Sequence, residues 1–162
     1  MKILYFGGQK SGKSLKAEEK TLELCSKPYY IATYDNSYND KSMQNKIDTH
    51  KIQRNNKFIL IEEPKNLKAQ IQLNNTYLID CLSMWILNNI SENKEFFLTQ
   101  LDSILKIDAN IIFVLNDVNS GIIPIESQTR KFIDLTGIIG AKIASLCNEV
   151  YEIKFGLENK LK

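Results

Sequence analysis

The feature that most constrains the fold is a glycine-rich segment that directly follows an apolar run. Residues 7–14 read Gly-Gly-Gln-Lys-Ser-Gly-Lys-Ser, and residues 3–6 before them read Ile-Leu-Tyr-Phe. This is a strand, a tight turn and a helix start, with the G-x-x-x-x-G-K-S spacing of a phosphate-binding loop, the P-loop. Gly7 and Gly12 let the backbone turn so that successive N–H groups converge on phosphate oxygens. The motif therefore predicts a site for a nucleoside triphosphate.

The residues of this loop have distinct expected roles. Lys13 should reach the β- and γ-phosphates as a catalytic group, and Ser14 should hold Mg²⁺ through its hydroxyl. The helix that begins near Lys13 adds the positive end of its dipole. A Gly/Ser surface turn that matches by chance is the alternative, and the strand before and helix after count against it. The predicted nucleotide-binding residues of the loop are Gly7, Gly8, Gln9, Lys10, Ser11, Gly12, Lys13 and Ser14.

Length and charge limit the class of protein. A chain of 162 residues suits one domain, so we expect a single nucleotide-binding domain over residues 1–162. The net charge of +2 and the scattered lysines give no strong case for nucleic acid or a membrane as partner. The apolar runs are far shorter than the ~20 residues of a membrane-spanning helix. The N-terminus enters a core strand at once and leaves no room for a signal peptide, so we expect a cytoplasmic protein.

Apolar strands alternate with helical segments along the chain. Strands are predicted over residues 2–6, 29–32, 58–61, 76–80, 110–115 and 150–155, with a short tail after Gly156. Helices are predicted over residues 15–26, 40–51, 83–90, 93–106 and 127–147. The last helix has a predicted buried stripe of Phe132, Leu135, Ile139, Ile143 and Leu146. The pattern indicates an α/β fold of the P-loop NTPase type, a mainly parallel sheet with helices on both faces.

Two strand ends carry carboxylates that could complete the site. Asp80 ends the strand over residues 76–80, and P-loop enzymes use a carboxylate at the end of a neighbouring strand to organise Mg²⁺. Asp80 could instead cap the helix that follows. Glu62 and Glu63 end another strand, and strand ends on one edge of a sheet converge on the ligand crevice. One of the two could face the site, or both could belong to a solvated acidic turn.

The one histidine of the chain, His50, is followed by Lys51 and Arg54. On a helix, His50 and Arg54 share a face because they are four residues apart. Neutral imidazole is a good nucleophile toward phosphorus, and flanking cations could hold the triphosphate that it attacks. Taken alone, however, a histidine on a polar helix face is more often an ordinary surface residue than a nucleophile.

Four blocks together resemble the bifunctional adenosylcobinamide kinase/adenosylcobinamide-phosphate guanylyltransferase family of cobalamin biosynthesis. The first block is the P-loop followed by Ala17-Glu18. The second runs from Tyr-Ile-Ala-Thr at residues 30–33 through Met43, Ile47, His50 and Arg54 to Glu-Glu-Pro at residues 62–64. The third is Asp-Cys-Leu-Ser-Met-Trp at residues 80–85 with Asn88, and the fourth begins with Asn-Asp-Val-Asn-Ser-Gly-Ile-Ile-Pro at residues 116–124. Their order and spacing are more specific than a P-loop alone.

The resemblance implies two reactions in one enzyme. One phosphorylates adenosylcobinamide, and the other transfers GMP from GTP to the resulting phosphate through a guanylylated histidine, at the position of His50. It implies ATP and GTP as substrates, Mg²⁺ as cofactor and a homotrimeric assembly. The residues at positions that contact the guanine nucleotide in the family are Ala32, Thr33, Tyr34, Lys51, Ile52, Gln53, Arg54, Glu62 and Asp80.

Some positions depart from the family pattern. They are Asp117, Asn119, Ile133 and Gly140-Ala141. These departures bear on the corrinoid-facing surface, on subunit contacts or on the balance of the two activities. Two other interpretations stay open at this point: a small-molecule P-loop kinase in which His50 is incidental, and a nucleotide-dependent switch with little turnover. The sequence does not distinguish ATP from GTP in the kinase step.

Overall fold

The computed structural model of the chain describes residues 1–35, 56–118, 121 and 123–162. Within these residues the strands are β1 (Lys2–Gly7), β2 (Tyr29–Ala32), β3 (Ile59–Glu62), β4 (Thr76–Asp80), β5 (Asn110–Asn116), β6 (Glu149–Lys154) and β7 (Leu157–Lys160). They form one sheet in the order β3-β2-β4-β5-β1-β6-β7. All neighbours pair in parallel except β6 and β7, which pair antiparallel.

The helices of the described residues are α1 (Lys13–Leu24), α2 (Leu67–Gln70), α3 (Leu82–Asn88), α4 (Lys94–Leu105) and α5 (Ser127–Leu146). Alternate residues of a strand face opposite sides of a sheet, so the sheet buries two separate apolar layers. Ala17 of α1 packs in one layer with Ile3, Leu78 and Ile112. The other layer is larger and joins α2, α3, α4 and α5 to the opposite face of the sheet. The predicted α/β sheet with helices on both faces is therefore confirmed.

Most predicted elements are found close to their predicted bounds, and β2 and β4 match to the residue. The strand β7 was missed: its residues Leu-Glu-Asn-Lys are all exposed, so no apolar alternation marks it. Its pairing with β6 along the sheet edge creates it instead. Helix α2 is one turn long and was also missed. The predicted helix over residues 40–51 lies outside the described residues.

The predicted buried stripe of the last helix is correct at its centre and wrong at its end. Leu135, Ile139 and Ile143 of α5 are buried, and Phe132 packs against the same layer. Leu146 is 50% exposed, because it is the last residue of α5 and the chain leaves the helix there to enter β6. No helix in the described ranges is both long and apolar enough to cross a lipid bilayer.

The strand order changes one expectation about the site. Asp80 was predicted on a strand adjacent to the P-loop strand, but β5 lies between β1 and β4. Helix α1, which follows the P-loop, packs over β4 and β5 as well as β1. The start of α1 therefore reaches the carboxyl end of β4 across the intervening strand.

Candidate active site

The P-loop connects the last residue of β1, Gly7, with the first residue of α1, Lys13. Its turn is closed by a hydrogen bond from the Ser11 N–H to the Gly8 carbonyl at 3.2 Å. Lys10 and Gly12 have φ values of 57° and 96°, in the left-handed region. Gly12 is the N-cap of α1 and supplies no side-chain cap. The loop thus has the backbone reversals of an anion-binding concavity, at a helix N-terminus whose first N–H groups have no intrahelical partner.

The loop is held in place by the turn between β6 and β7. The Gly156 N–H donates to the Ser11 carbonyl at 2.9 Å. A Cβ atom at Gly7 would lie 2.2 Å from the carbonyl oxygen of Ile153 in β6. Glycine is therefore required at residue 7 by the close approach of the neighbouring strand, and not only by the turn that the sequence motif indicates.

Lys13 is buried, with 7% of its surface exposed. Its Nζ donates to the Gly8 carbonyl at 3.2 Å, so the side chain folds back over the loop. Burial lowers the pKa of the Lys13 ammonium below its ordinary value, and the Coulombic attraction of the Asp80 carboxylate acts in the opposite direction. Since burial penalises the charged form, negative charge from a bound polyphosphate would stabilise the ammonium.

Ser14 and Asp80 meet at the carboxyl end of the sheet, as the metal hypothesis requires. The Ser14 hydroxyl donates to Oδ1 of Asp80 at 3.3 Å. Asp80 is the last residue of β4, and the N-cap of the following helix α3 is Cys81. The alternative in which Asp80 caps that helix is therefore wrong. A hydroxyl and a carboxylate oxygen are hard donors of the kind that Mg²⁺ prefers.

The hydroxyl of Ser11 is a second polar group that points to a bound ligand. It is buried, and in the part of the chain that the structure describes it has no hydrogen-bond partner. A buried polar group without a partner is costly, and an unobserved water or ligand is its usual explanation. Gln9 and Lys10 lie at the exposed tip of the same loop.

The ends of β2, β3 and β4 are tied together by side chains. The Thr33 hydroxyl accepts from the Cys81 N–H at 2.9 Å and donates to the Cys81 carbonyl at 2.7 Å. The Asn88 amide donates to the carbonyls of Thr33 and Pro64, at 2.7 and 3.0 Å. The Thr33 side chain thus joins the residue after β2 to the residue after β4. Ala32 is the last residue of β2, and Tyr34 follows Thr33 beyond the strand. Burial raises the pKa of the Cys81 thiol to about 11, which keeps this neighbour of Asp80 neutral.

Glu62 and Glu63 have different positions. Glu63 Oε1 accepts from the N–H groups of Lys65 and Asn66 at 2.9 and 2.8 Å, and Oε2 accepts from Gln70 at 3.1 Å. Burial alone would raise the pKa of Glu63, but these hydrogen bonds outweigh it and lower the pKa. Glu63 therefore organises the loop before α2. Glu62 is exposed at the end of β3, opposite Ala32 in register, and it is the one that lies on the predicted ligand edge.

Tyr30 lies beside the candidate site, although in the sequence it stands out only as part of the second family block. Its hydroxyl donates to Oδ2 of Asp80 at 2.5 Å. This contact depends on the register of β2 with β4, in which Tyr30 lies opposite Leu78 and Ala32 lies opposite Asp80, so neighbouring residues in the sequence do not reveal it.

The other predicted site residues lie outside the described residues; they are His50, Lys51, Ile52, Gln53 and Arg54.

The amino-acid sequence matches one protein family and its characterised members over almost the whole chain. A sequence model of the family "Cobinamide kinase / cobinamide phosphate guanyltransferase" matches residues 3–161. The chain is 29% identical to the "Bifunctional adenosylcobalamin biosynthesis protein CobP" of Pseudomonas aeruginosa, over 100% of this chain and 98% of that protein. It is 26% identical to the "Bifunctional adenosylcobalamin biosynthesis protein CobU" of Escherichia coli K12, over the whole of both chains. The chain therefore belongs to the cobinamide kinase / cobinamide phosphate guanyltransferase family of enzymes.

Proposed function

We propose that this chain phosphorylates adenosylcobinamide with a nucleoside triphosphate and then transfers GMP from GTP to the adenosylcobinamide phosphate. The observation that carries the proposal is the convergence of Lys13, Ser14 and Asp80 at the P-loop, in a chain that belongs to this family over almost its whole length. A kinase and a guanylyltransferase both act on the phosphates of a nucleoside triphosphate. One triphosphate cradle can therefore serve both reactions.

For the kinase reaction, the loop N–H groups and Lys13 hold the β- and γ-phosphates of the donor. Ser14 and Asp80 are the residues that would hold Mg²⁺, and their oxygen atoms fit that ion. An ion held by these two residues would neutralise charge on the phosphate oxygens. The substrate hydroxyl attacks the γ-phosphorus and loses its proton to water, the bond from the γ-phosphorus to the bridging β-phosphate oxygen breaks, and the nucleoside diphosphate leaves.

For the guanylyl transfer, we propose His50 as the nucleophile. Its imidazole nitrogen attacks the α-phosphorus of GTP, a phosphorus–nitrogen bond forms, and pyrophosphate leaves with the electrons of the broken α–β bond. The phosphate of adenosylcobinamide phosphate then attacks the same phosphorus and releases His50. Lys51 and Arg54 would stabilise charge on the phosphoryl oxygens. The position of His50 within the second sequence block supports this role.

Covalent labelling tests the histidine. Wild-type protein incubated with α-labelled GTP and Mg²⁺ should take up label, and acid should release the label while base should not, as expected for a phosphoramidate. His50→Ala should remove the label but leave cobinamide phosphorylation measurable, because the P-loop is unchanged. Labelled His50→Ala protein, or an unlabelled wild type, would overturn the guanylyl half of the proposal. The second outcome would favour a P-loop kinase without that step.

We further propose that the chain assembles as a homotrimer, as the family resemblance implies. Light scattering on the purified protein should then give three times the chain mass of 18.6 kDa. A monomer at the concentrations used for the labelling experiment would contradict it.

A further inference from the structure

We propose that Tyr30 is a positioning residue that orients the Asp80 carboxylate toward Ser14 and the metal–nucleotide complex. The two oxygens of Asp80 have different neighbours: Oδ2 accepts from the Tyr30 hydroxyl at 2.5 Å, and Oδ1 accepts from the Ser14 hydroxyl at 3.3 Å. The first distance is that of a strong hydrogen bond to a charged acceptor. The inference rests on the metal role of Asp80 under the proposed function.

The sheet register explains how a residue of β2 reaches the end of β4. Tyr30 lies opposite Leu78, so Tyr30 and Asp80 point to the same face of the sheet and are offset by two residues along the strands. That face is the one covered by α1, where Tyr30 and Leu78 share an apolar layer with Ala17. Only a long side chain on β2 can reach the Asp80 carboxylate across this two-residue offset, and the tyrosine ring provides the length.

The Tyr30 hydroxyl is held rigidly. The residue is only 2% exposed, and its ring packs edge-on against Phe58 with a centroid distance of 5.7 Å. The terminal torsion of an aspartate is broad, so a carboxylate without a fixed partner samples many orientations. By occupying Oδ2, Tyr30 selects the orientation in which Oδ1 faces the start of α1. Partners of this kind behind a metal-binding carboxylate typically change metal affinity by about 10–100-fold.

The test is the gain in nucleotide affinity that Mg²⁺ provides. The probe is a GTP analogue with a methylene bridge between the α- and β-phosphorus, which His50 cannot cleave. Its dissociation constant is measured by calorimetry with Mg²⁺ and with EDTA, and the ratio of the two constants is the readout. Tyr30→Phe keeps the ring against Phe58 and removes only the hydroxyl, so the metal-free affinity should stay unchanged while the ratio falls about tenfold. Both affinities come from one preparation, so a partly unfolded fraction does not change the ratio.

Tyr77→Phe is the matched control. Tyr77 is equally buried on β4, and its hydroxyl accepts from the Gln72 N–H and the Asn75 amide, away from Asp80. This variant should lose stability but keep the wild-type ratio. An unchanged ratio in Tyr30→Phe, or an equal fall in Tyr77→Phe, would overturn the positioning role.

Asp80→Asn separates failure of this inference from failure of the proposed function. If Asp80→Asn lowers the ratio and Tyr30→Phe does not, the positioning role is wrong and the metal role of Asp80 stands. If Asp80→Asn itself leaves the ratio unchanged, the metal role fails and the positioning role fails with it. In the double variant Tyr30→Phe/Asp80→Asn, the affinity ratio should fall no further than in Asp80→Asn alone, since both changes act through the same carboxylate.

Discussion

Glu62 and Glu63 are adjacent in sequence and chemically identical, yet their surroundings differ. The hydrogen bonds to Lys65, Asn66 and Gln70 engage Glu63 within its own loop, whereas Glu62 ends β3 on the predicted ligand edge. Lys13 and Lys16 differ in the same way. Lys13 is buried over the P-loop, and Lys16 forms a surface ion pair with Glu19 at 2.9 Å. At this scale, burial and partners decide which of two like residues lies at the candidate site.

Lys13→Ala should lower both cobinamide phosphorylation and guanylylation by roughly 100-fold or more, because it removes a preorganised positive charge beside the transferring phosphates. Steady-state rates and the labelling assay measure the two activities. Lys16→Ala, one turn further along α1, removes only an exposed ion pair and should leave both activities unchanged. A Lys13→Ala enzyme with wild-type rates would rule out the assigned role of the loop lysine.

At the scale of elements, the P-loop depends on a strand far from it in sequence. Gly7 lies against the backbone of β6, and the turn after β6 donates a hydrogen bond to Ser11. The loop between β3 and α2 is stabilised differently, because the Glu63 carboxylate accepts hydrogen bonds from successive backbone N–H groups of that loop. The connection after β1 is therefore fixed by a distant strand, and the connection after β3 is fixed by its own side chain.

Gly7→Ala and Gly8→Ala form a matched pair. A Cβ at residue 7 would lie 2.2 Å from a backbone oxygen, whereas at residue 8 it would meet nothing within 4 Å. We expect Gly7→Ala to lower the free energy of unfolding by about 1–3 kcal/mol, and Gly8→Ala to change it by no more than about 0.5 kcal/mol. Urea denaturation measures both. Equal stabilities of the two variants would contradict the close contact between the loop and β6.

Glu63 should make the stability of its loop depend on pH. Its pKa is lowered in the folded state, so its contribution is fully present above the ordinary value near 4.5 and is lost as pH falls through the folded-state value. In the Glu63→Gln variant, the side chain at residue 63 carries no ionisable group. The difference in unfolding free energy between wild type and Glu63→Gln should therefore shrink between pH 6 and pH 3, as measured by denaturation at each pH. A difference that grows on acidification would refute the assigned direction.

At the scale of the whole molecule, apolar layers on both faces of one sheet pack the described helices against the sheet. Trp85, the one tryptophan of the chain, is fully buried in the larger layer. Its indole N–H donates to the Lys65 carbonyl at 2.8 Å, and its ring packs edge-on against Phe97. Its fluorescence should therefore report loss of the whole core.

We expect the chain to unfold as one cooperative unit, because a single sheet joins both layers. Urea transitions followed by Trp85 emission and by circular dichroism should coincide. Saturating GTP analogue with Mg²⁺ should move both midpoints upward together, since a ligand that binds only the folded state stabilises it. Loss of the tryptophan emission in Trp85→Phe would confirm that Trp85 is its source. Separate transitions would contradict the expected single domain over residues 1–162.

Much of the fold could be predicted from residues that lie close together in the sequence. The glycines, Lys13 and Ser14 of the P-loop lie within eight positions, so their local geometry follows from their own order. The strand and helix types follow from apolar periodicity, which is also local. The four family blocks extend the same reasoning to the predicted chemistry of His50, which stays a prediction.

Tertiary structure decided the relations between distant residues. The strand order separates β1 from β4 by β5, and Tyr30 reaches an aspartate 50 residues away through the register of β2 with β4. Strand β7 exists only because an edge of β6 is available to an otherwise polar segment. Strand order, register and burial arise from packing between segments far apart in the chain. Local sequence therefore predicted candidate site residues, and packing decided which of those in the described part of the chain meet.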